Sequence, residues 1–249
     1  MRWLERLLGR SEAASDDVAA NMAQATAAVE RGDHAAALAL WGPLAHAGIG
    51  RAQNNIGACF AEGLGVERDP ALALRWLTLA AESGDPVGQR NLAALHFKGE
   101  GVAQSDAEAI RLYRLAAEQG DSPAQDMLSW MLLEGGNPAD RAEALRWAQA
   151  AAEAGIATSM TRLGMMHHDA LGVGRDADAA ARWWQRGMAA GDPDSEAMLG
   201  AATLLGQGVP ADAERALALL LAAESKGSTL AAPFIKAARA AVAPTEPAP

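Results

Sequence analysis

Apolar residues recur at fixed distances around six glycines that stand 35 or 36 residues apart along the chain. An alanine lies eleven residues before each glycine, and an isoleucine or leucine lies eight residues after it. The glycines are Gly48, Gly84, Gly120, Gly155, Gly191 and Gly227. Self-similarity at a fixed period of this length predicts a repeat array, in which each unit buries its apolar face against its neighbours.

Each repeat predicts two helices. Fifteen residues before each glycine stands a residue whose side chain can accept a hydrogen bond from a helix N-terminus, so a helix is expected to begin there. These residues are Asp33, Asp69, Ser105, Asp140, Asp176 and Asp212. A large side chain follows on the same helix, at Trp41, Trp76, Tyr113, Trp147, the pair Trp183 and Trp184, and the pair Leu219 and Leu220. The glycine is expected to end this helix in the left-handed conformation.

A second helix is predicted after each glycine, because a small residue four positions on and a leucine or isoleucine eight positions on form one buried stripe. The large members of the stripe are Ile56, Leu92, Leu128, Leu163, Leu199 and Ile235. A Gly-x-Gly-Val loop ends the helix in three repeats, and Ala170-Leu171-Gly172-Val173 replaces it in a fourth. The copy at residues 135–138 is one residue short and lacks the valine.

These residues resemble the Sel1-like repeat, a relative of the tetratricopeptide repeat (TPR). The match is close around Ala52-Gln53, Ile56-Gly57, Phe60, Gly63-Leu64-Gly65-Val66, Asp69, Ala73, Trp76 and Ala80-Ala81-Glu82-Ser83-Gly84. The resemblance implies an all-α fold, an α/α solenoid built as a right-handed superhelix of helix pairs. The fourth repeat departs from the pattern at His167, Ala170 and Gly187-Met188.

The pattern divides the chain into three parts. Residues 1–15 form a short amphipathic segment and a linker, residues 16–243 form one solenoid, and residues 244–249 form a disordered tail. Within the solenoid a TPR-like pair at 16–48 precedes repeats at about 49–84, 85–120, 121–155, 156–191 and 192–227, and a capping helix at 229–243 follows them.

Composition narrows the possible partners and compartment. The net charge of −10 and the scarcity of lysine disfavour nucleic acid as a partner. The single cysteine, Cys59, allows no disulfide within the chain. No apolar stretch reaches the roughly 20 residues of a membrane span, and the N-terminus lacks the apolar run of a signal peptide. A cytoplasmic location is therefore expected.

The first ten residues have a second interpretation. Trp3, Leu4, Leu7 and Leu8 fall on one helical face, with arginines on or near the other. This pattern is typical of a weakly membrane-associated helix or a partner-binding helix. A loosely docked terminal helix followed by a flexible connection at residues 11–15 is the alternative.

No catalytic or cofactor motif stands out in the sequence. The Gly-x-Gly loops follow helices and repeat with the array, so they are interpreted as turns rather than phosphate sites. His167-His168-Asp169 is the one cluster that looks like metal ligands, but His167 occupies the tyrosine position of the repeat and is expected to pack. No catalytic residue, metal or cofactor is therefore predicted.

In the family that the chain resembles, the first helix of each repeat lines a concave groove. If positions four, eight and twelve after each glycine are buried, positions three, six, ten, thirteen and fourteen should face this groove. The predicted partner-binding residues are Arg51, Asn54, Glu62, Arg90, Phe97, Lys98, Asp126, Trp130, Leu133, Glu134, Thr161, Met165, His168, Leu204 and Leu205. Trp130 is the main candidate hot spot, although it could instead pack between adjacent helices.

The sequence thus predicts a non-enzymatic scaffold or adaptor that binds a peptide or helix of another protein in the groove. The resemblance implies a role in bacterial signalling or regulation. A peripheral membrane adaptor held by residues 1–10 is one alternative, and a hydrolase or β-lactam-binding protein is another. Neither the partner nor the oligomeric state follows from the sequence.

Overall fold

The computed structural model describes the backbone of residues 2–242 and the side chains of residues 15–242. All described secondary structure is helical. The helices belong to two compact units, residues 1–121 and residues 122–249.

The first unit contains six α-helices, each packed against the next along the chain. They are α1 (Arg2–Glu30), α2 (His34–His46), α3 (Gly50–Glu62), α4 (Pro70–Glu82), α5 (Pro86–Lys98) and α6 (Asp106–Glu118). The alternate helices α3 and α5 also touch, so the leading helices of two repeats lie side by side. This is the packing of helix pairs expected for an α/α solenoid.

The second unit contains seven α-helices among its described residues. They are α7 (Ser122–Glu134), α8 (Arg141–Glu153), α9 (Ala157–Asp169), α10 (Ala177–Ala189), α11 (Pro193–Leu205), α12 (Ala213–Ser225) and α13 (Ala232–Val242). One turn of 3-10 helix, Pro138–Asp140, stands in the short loop before α8. Successive helices pack together, and α9 also touches α11.

Side-chain caps start five of the six helices for which the sequence predicted them. The carboxylate of Asp69, for example, accepts hydrogen bonds of 2.9 and 3.0 Å from the backbone of Ala71 and Leu72. The prediction for Asp140 is wrong, because its side chain makes no capping bond to α8. The shortened loop places it in the 3-10 turn, where its carboxylate accepts a bond of 3.1 Å from Asn137 Nδ2.

The six repeat glycines adopt positive φ angles of 85° to 95°, as predicted. The same conformation ends α9, but here the residue is Ala170, with φ of 58°. Ala170 is the sole described residue other than glycine with a positive φ. An alanine in this region carries backbone strain, because its Cβ lies close to the following carbonyl oxygen.

The predicted stripe forms the core. Leu128, Leu163 and Leu199 are almost completely buried. The small residues four positions earlier, Ala124, Ser159 and Ser195, are buried as well. The large side chains of the other helix join them, and Trp184 is the largest fully buried side chain. Its neighbour Trp183 remains half-buried and lies beneath the guanidinium of Arg186.

Two predictions fall on residues at the edges of the described region. The structure describes side chains only from residue 15 onward, so the predicted amphipathic segment and linker at residues 1–15 lie almost wholly outside the described side chains. The bounds of α1 include most of these residues. The tail at residues 244–249 lies outside it as well. Among the described residues, no helix combines the length and apolarity that a membrane span requires.

Candidate functional site

Asn54 and Thr161, which stand six positions after a repeat glycine, form hydrogen bonds between neighbouring leading helices. Asn54 is 3 % exposed and Thr161 is 7 % exposed. Asn54 Oδ1 accepts a hydrogen bond of 2.8 Å from Asn91 Nδ2 on the next leading helix. Thr161 donates to the carboxylate of Asp192, which caps α11. These side chains face the following repeat because the leading helices lie side by side.

Two predicted arginines of the first unit each bind an aspartate at the end of their own repeat. Arg90 Nη1 binds the carboxylate of Asp121 at 2.7 Å, and Arg51 Nε binds that of Asp85 at 2.9 Å. The Arg51 side chain is nevertheless 46 % exposed. The two guanidiniums therefore connect the beginning of a repeat to its end, and only Arg51 keeps a large accessible area.

In the second unit, five predicted residues lie around one cavity of about 480 Å³, which we call the α7–α9 cavity. They are Trp130, Leu133, Glu134, Thr161 and Met165. The cavity is also lined by Gly136, Arg141, Thr158, Arg162, Met166, Asp169, Leu171, Asp192 and Asp194. Its volume lies within the range of about 300 to 1,000 Å³ that is usual for ligand pockets.

One wall of the α7–α9 cavity is apolar. Trp130 and Leu133 lie one turn apart on α7 and are half-buried, and Met165 on α9 is 37 % exposed. Trp130 and Met165 both stand ten residues after a repeat glycine, so the repeat geometry places them on the same side of their helices. A half-buried tryptophan beside accessible aliphatic side chains is a typical composition for a binding hot spot.

A charged cluster joins α7 and α9, two of the helices that contribute to the cavity lining. Arg162 Nη1 binds Asp126 Oδ1 at 2.6 Å, and the hydroxyl groups of Thr158 and Ser159 donate to the same carboxylate. Both charged side chains are less than one-fifth exposed. Asp126, a predicted groove residue, therefore joins α7 to α9 and holds the lining residues Thr158 and Arg162 in place.

Several lining residues were not predicted from the sequence. Arg141 begins α8, Leu171 lies in the loop after α9, and Asp192 and Asp194 lie at the start of α11. The position of Asp192 directly before α11 is typical of a helix cap. Its proximity to Thr161 depends on the distance between α9 and α11, which the spacing of residues along the chain does not provide.

The first unit has a smaller cavity of about 230 Å³, and Glu62 and Lys98 are among its lining residues. Phe97 is half-buried and is not among the residues that line it. The structure thus places Glu62 and Lys98 at one site but does not place Phe97 there.

Three predicted residues of the second unit lie away from the α7–α9 cavity. His168 Nδ1 is 2.7 Å from Asp169 Oδ1, and its Nε2 is 3.1 Å from Gln207 Oε1 in the loop after α11. Leu204 packs against the core of α11 to α13, whereas Leu205 is 58 % exposed. In the part of the chain that the structure describes, no three His, Cys, Asp or Glu residues are arranged to hold a metal ion.

Comparisons with known proteins agree with this architecture. The Sel1 repeat model matches residues 50–85, 86–121, 122–156, 157–192 and 193–228. A Sel1 repeat protein from Oxalobacter formigenes is 29 % identical, with a TM-score of 0.80 and coverage of 86 % of each chain. A protective antigen of uropathogenic Escherichia coli strains, described as having an SLR fold, is also 29 % identical, with a TM-score of 0.78. That similarity covers 93 % of this chain and 50 % of the antigen.

Comparison with proteins of curated function finds no match. Sel1 repeats form a fold typical of protein–protein interaction scaffolds, and proteins built from them are generally non-catalytic. Because the five matched repeats run without a gap from residue 50 to residue 228, the chain belongs to the Sel1 repeat family.

Proposed function

We propose that this chain is a non-enzymatic adaptor that binds a peptide or an amphipathic helix of a partner protein in the α7–α9 cavity. The observation that carries the proposal is the meeting of Trp130, Leu133 and Met165 around a cavity large enough to take side chains of a partner. An accessible apolar wall with a polar rim is the usual anatomy of a protein-binding site.

The chemistry of the lining supports a binding role over a catalytic one. The lining contains neither histidine nor cysteine, and its buried hydroxyl, that of Thr161, donates to a carboxylate that also caps a helix. A nucleophile needs a neighbouring base that is free to accept its proton. Asp192 is already engaged by the backbone of α11.

We place the adaptor in bacterial signalling or regulation within the cytoplasm. The similar solved structures named above come from bacteria. The lone Cys59 is compatible with a reducing compartment, where disulfides are rare.

The test compares two variants with matched exposure. Met165→Glu places a charge on the apolar wall, and Leu115→Glu places one on α6, outside the cavity, at a side chain that is also 37 % exposed. Proteins captured by the immobilised wild-type chain are identified, and binding of the purified partner is then measured by calorimetry. We expect Met165→Glu to weaken this binding by at least about tenfold, since it buries a charge against apolar groups, and Leu115→Glu to leave it unchanged. Equal affinity for both variants would reject the cavity as the docking site.

A further inference from the structure

The α7–α9 cavity carries an unbalanced set of charges. Four carboxylates line it, those of Glu134, Asp169, Asp192 and Asp194, against the guanidiniums of Arg141 and Arg162. Arg162 is already bound to Asp126 at 2.6 Å. Negative charge therefore predominates around the apolar wall.

Three of these four carboxylates have hydrogen-bond or ion-pair contacts, and none of those contacts is with a lysine or an arginine among the described residues. Asp192 accepts from the backbone N–H of Ser195, and Asp194 accepts from Ser228 Oγ at 2.6 Å. Asp169 contacts His168, and its side chain is 51 % exposed. Within the described residues no lysine or arginine forms an ion pair with any of the four, and the partners of Asp169, Asp192 and Asp194 are neutral donors and one histidine.

From this arrangement we propose that the partner segment carries a lysine or arginine next to its large apolar side chains. This inference rests on the proposed function and specifies the ligand of the same site. The apolar side chain lies against Trp130, Leu133 and Met165, and the cation lies near Glu134 and Asp169 at the end of the wall. Glu134 follows Leu133 directly, and Asp169 lies one turn beyond Met165.

Electrostatic complementarity of this kind selects among partners more than it adds affinity. Like charges brought together at an interface are strongly disfavoured, whereas exposed opposite charges contribute modestly. An acidic segment with the same apolar residues is therefore rejected, although it could fill the cavity equally well. The site discriminates by the sign of the ligand's charge.

The experiment uses two synthetic amphipathic peptides of about 14 residues, four helical turns. They share one apolar face of leucine and tryptophan, and the polar face carries lysine in one and glutamate in the other. Binding to the full chain is followed by fluorescence anisotropy at about 0.15 M salt, where distant charges are screened. We expect the lysine peptide to bind at least about tenfold more tightly than the glutamate peptide.

Two double variants separate the cavity from the general acidity of the chain. Glu134→Gln with Asp169→Asn removes two charges from the cavity, and Glu82→Gln with Glu118→Gln removes two exposed charges from the first unit. We expect the first pair to weaken binding of the lysine peptide by about fivefold, and the second pair to change it little.

The remaining outcomes overturn the inference. Equal weakening by the two pairs would show attraction to an acidic protein as a whole. Equal binding of both peptides, abolished by Met165→Glu, would preserve apolar docking and the proposed function while rejecting the charge preference. Failure of the lysine peptide to bind would also reject the preference, and the proposed function would then be judged on the captured partner alone.

Discussion

Gly187 on α10 lies directly against the hydroxyl of Ser195 on α11. A Cβ added at Gly187 would overlap Ser195 Oγ and lie 2.9 Å from Ser195 Cβ. Ser195 is completely buried, and its hydroxyl is hydrogen-bonded to Thr161, so it cannot turn away freely. The repeat pattern has alanine at position 187, and the glycine found here leaves room for the serine hydroxyl on the facing helix.

We therefore expect Gly187→Ala to lower the free energy of unfolding by about 1 to 2 kcal/mol, because overpacking outweighs the better helix propensity of alanine. Urea denaturation followed by circular dichroism measures the change. Adding Ser195→Gly should restore part of the loss, since Ala80 faces Gly88 in this way in the first unit. Gly174→Ala, at a position with open space, is the control. A stabilised Gly187→Ala protein would contradict the packing.

Ala170→Gly should stabilise the protein. Alanine in the left-handed region costs about 1 to 2 kcal/mol, and glycine removes this strain while adding freedom to the unfolded chain. The net expectation is a gain of about 0.5 to 1 kcal/mol in the free energy of unfolding. Ala218→Gly, at an exposed position inside α12, should have the opposite effect. If both variants changed the free energy of unfolding in the same direction, the strain attributed to the positive φ of Ala170 would be refuted.

The Arg162–Asp126 pair should be strongly coupled. Alanine at either position leaves the other charge poorly exposed and unpaired, so each single variant is expected to lose about 2 kcal/mol of stability. A double-mutant cycle measures the coupling. The Arg111–Glu108 pair, whose side chains are far more exposed, serves for comparison and should show about 0.5 kcal/mol or less. Similar coupling energies in both pairs would show that burial around Asp126 does not strengthen the ion pair.

Tyr113 should make stability depend on pH in alkaline solution. Burial raises the pKa of its phenol from 10.0 to about 12. Between these values the unfolded chain loses the proton and the folded chain keeps it, so the stabilisation present below pH 10 declines as the pH rises. The expected loss is about 2 kcal/mol.

This tyrosine is the only one in the chain, so its phenolate absorbance can be titrated directly. The midpoint should lie near 12 in the folded protein and near 10.0 in urea. The Tyr113→Phe protein should lack this component of the pH dependence. Coincident midpoints in the two solvents would argue against burial of the phenol.

Cys59 should react slowly with thiol reagents in the folded protein. Its side chain is 3 % exposed, and burial raises the pKa of the thiol, which lowers the reactive thiolate fraction. Reaction with an aromatic disulfide should be at least about tenfold slower than in urea. Since the chain has one cysteine, absorbance reports this site alone. A native rate equal to the denatured rate would mean that α3 opens readily.

The sequence determined the fold of this protein because each repeat carries its own local signals. Caps such as Asp69, glycines with positive φ and the stripe through Leu128 and Leu163 act within one helix or between neighbouring helices. Repeat packing is local in the chain, so periodicity specifies both the helices and the faces that they bury. The same periodicity identified Trp130 and Met165 as residues on one side of adjacent leading helices.

The tertiary structure decided what lies between repeats. It placed Asn54 and Thr161 in contacts with the next leading helix, and it brought Asp192 and Asp194 into the lining of the α7–α9 cavity. These outcomes depend on the distance between helices and on the path of loops, such as the shortened turn that takes Asp140 away from its capping role. Neither follows from residue spacing, because side chains of different repeats meet only once the helices have packed.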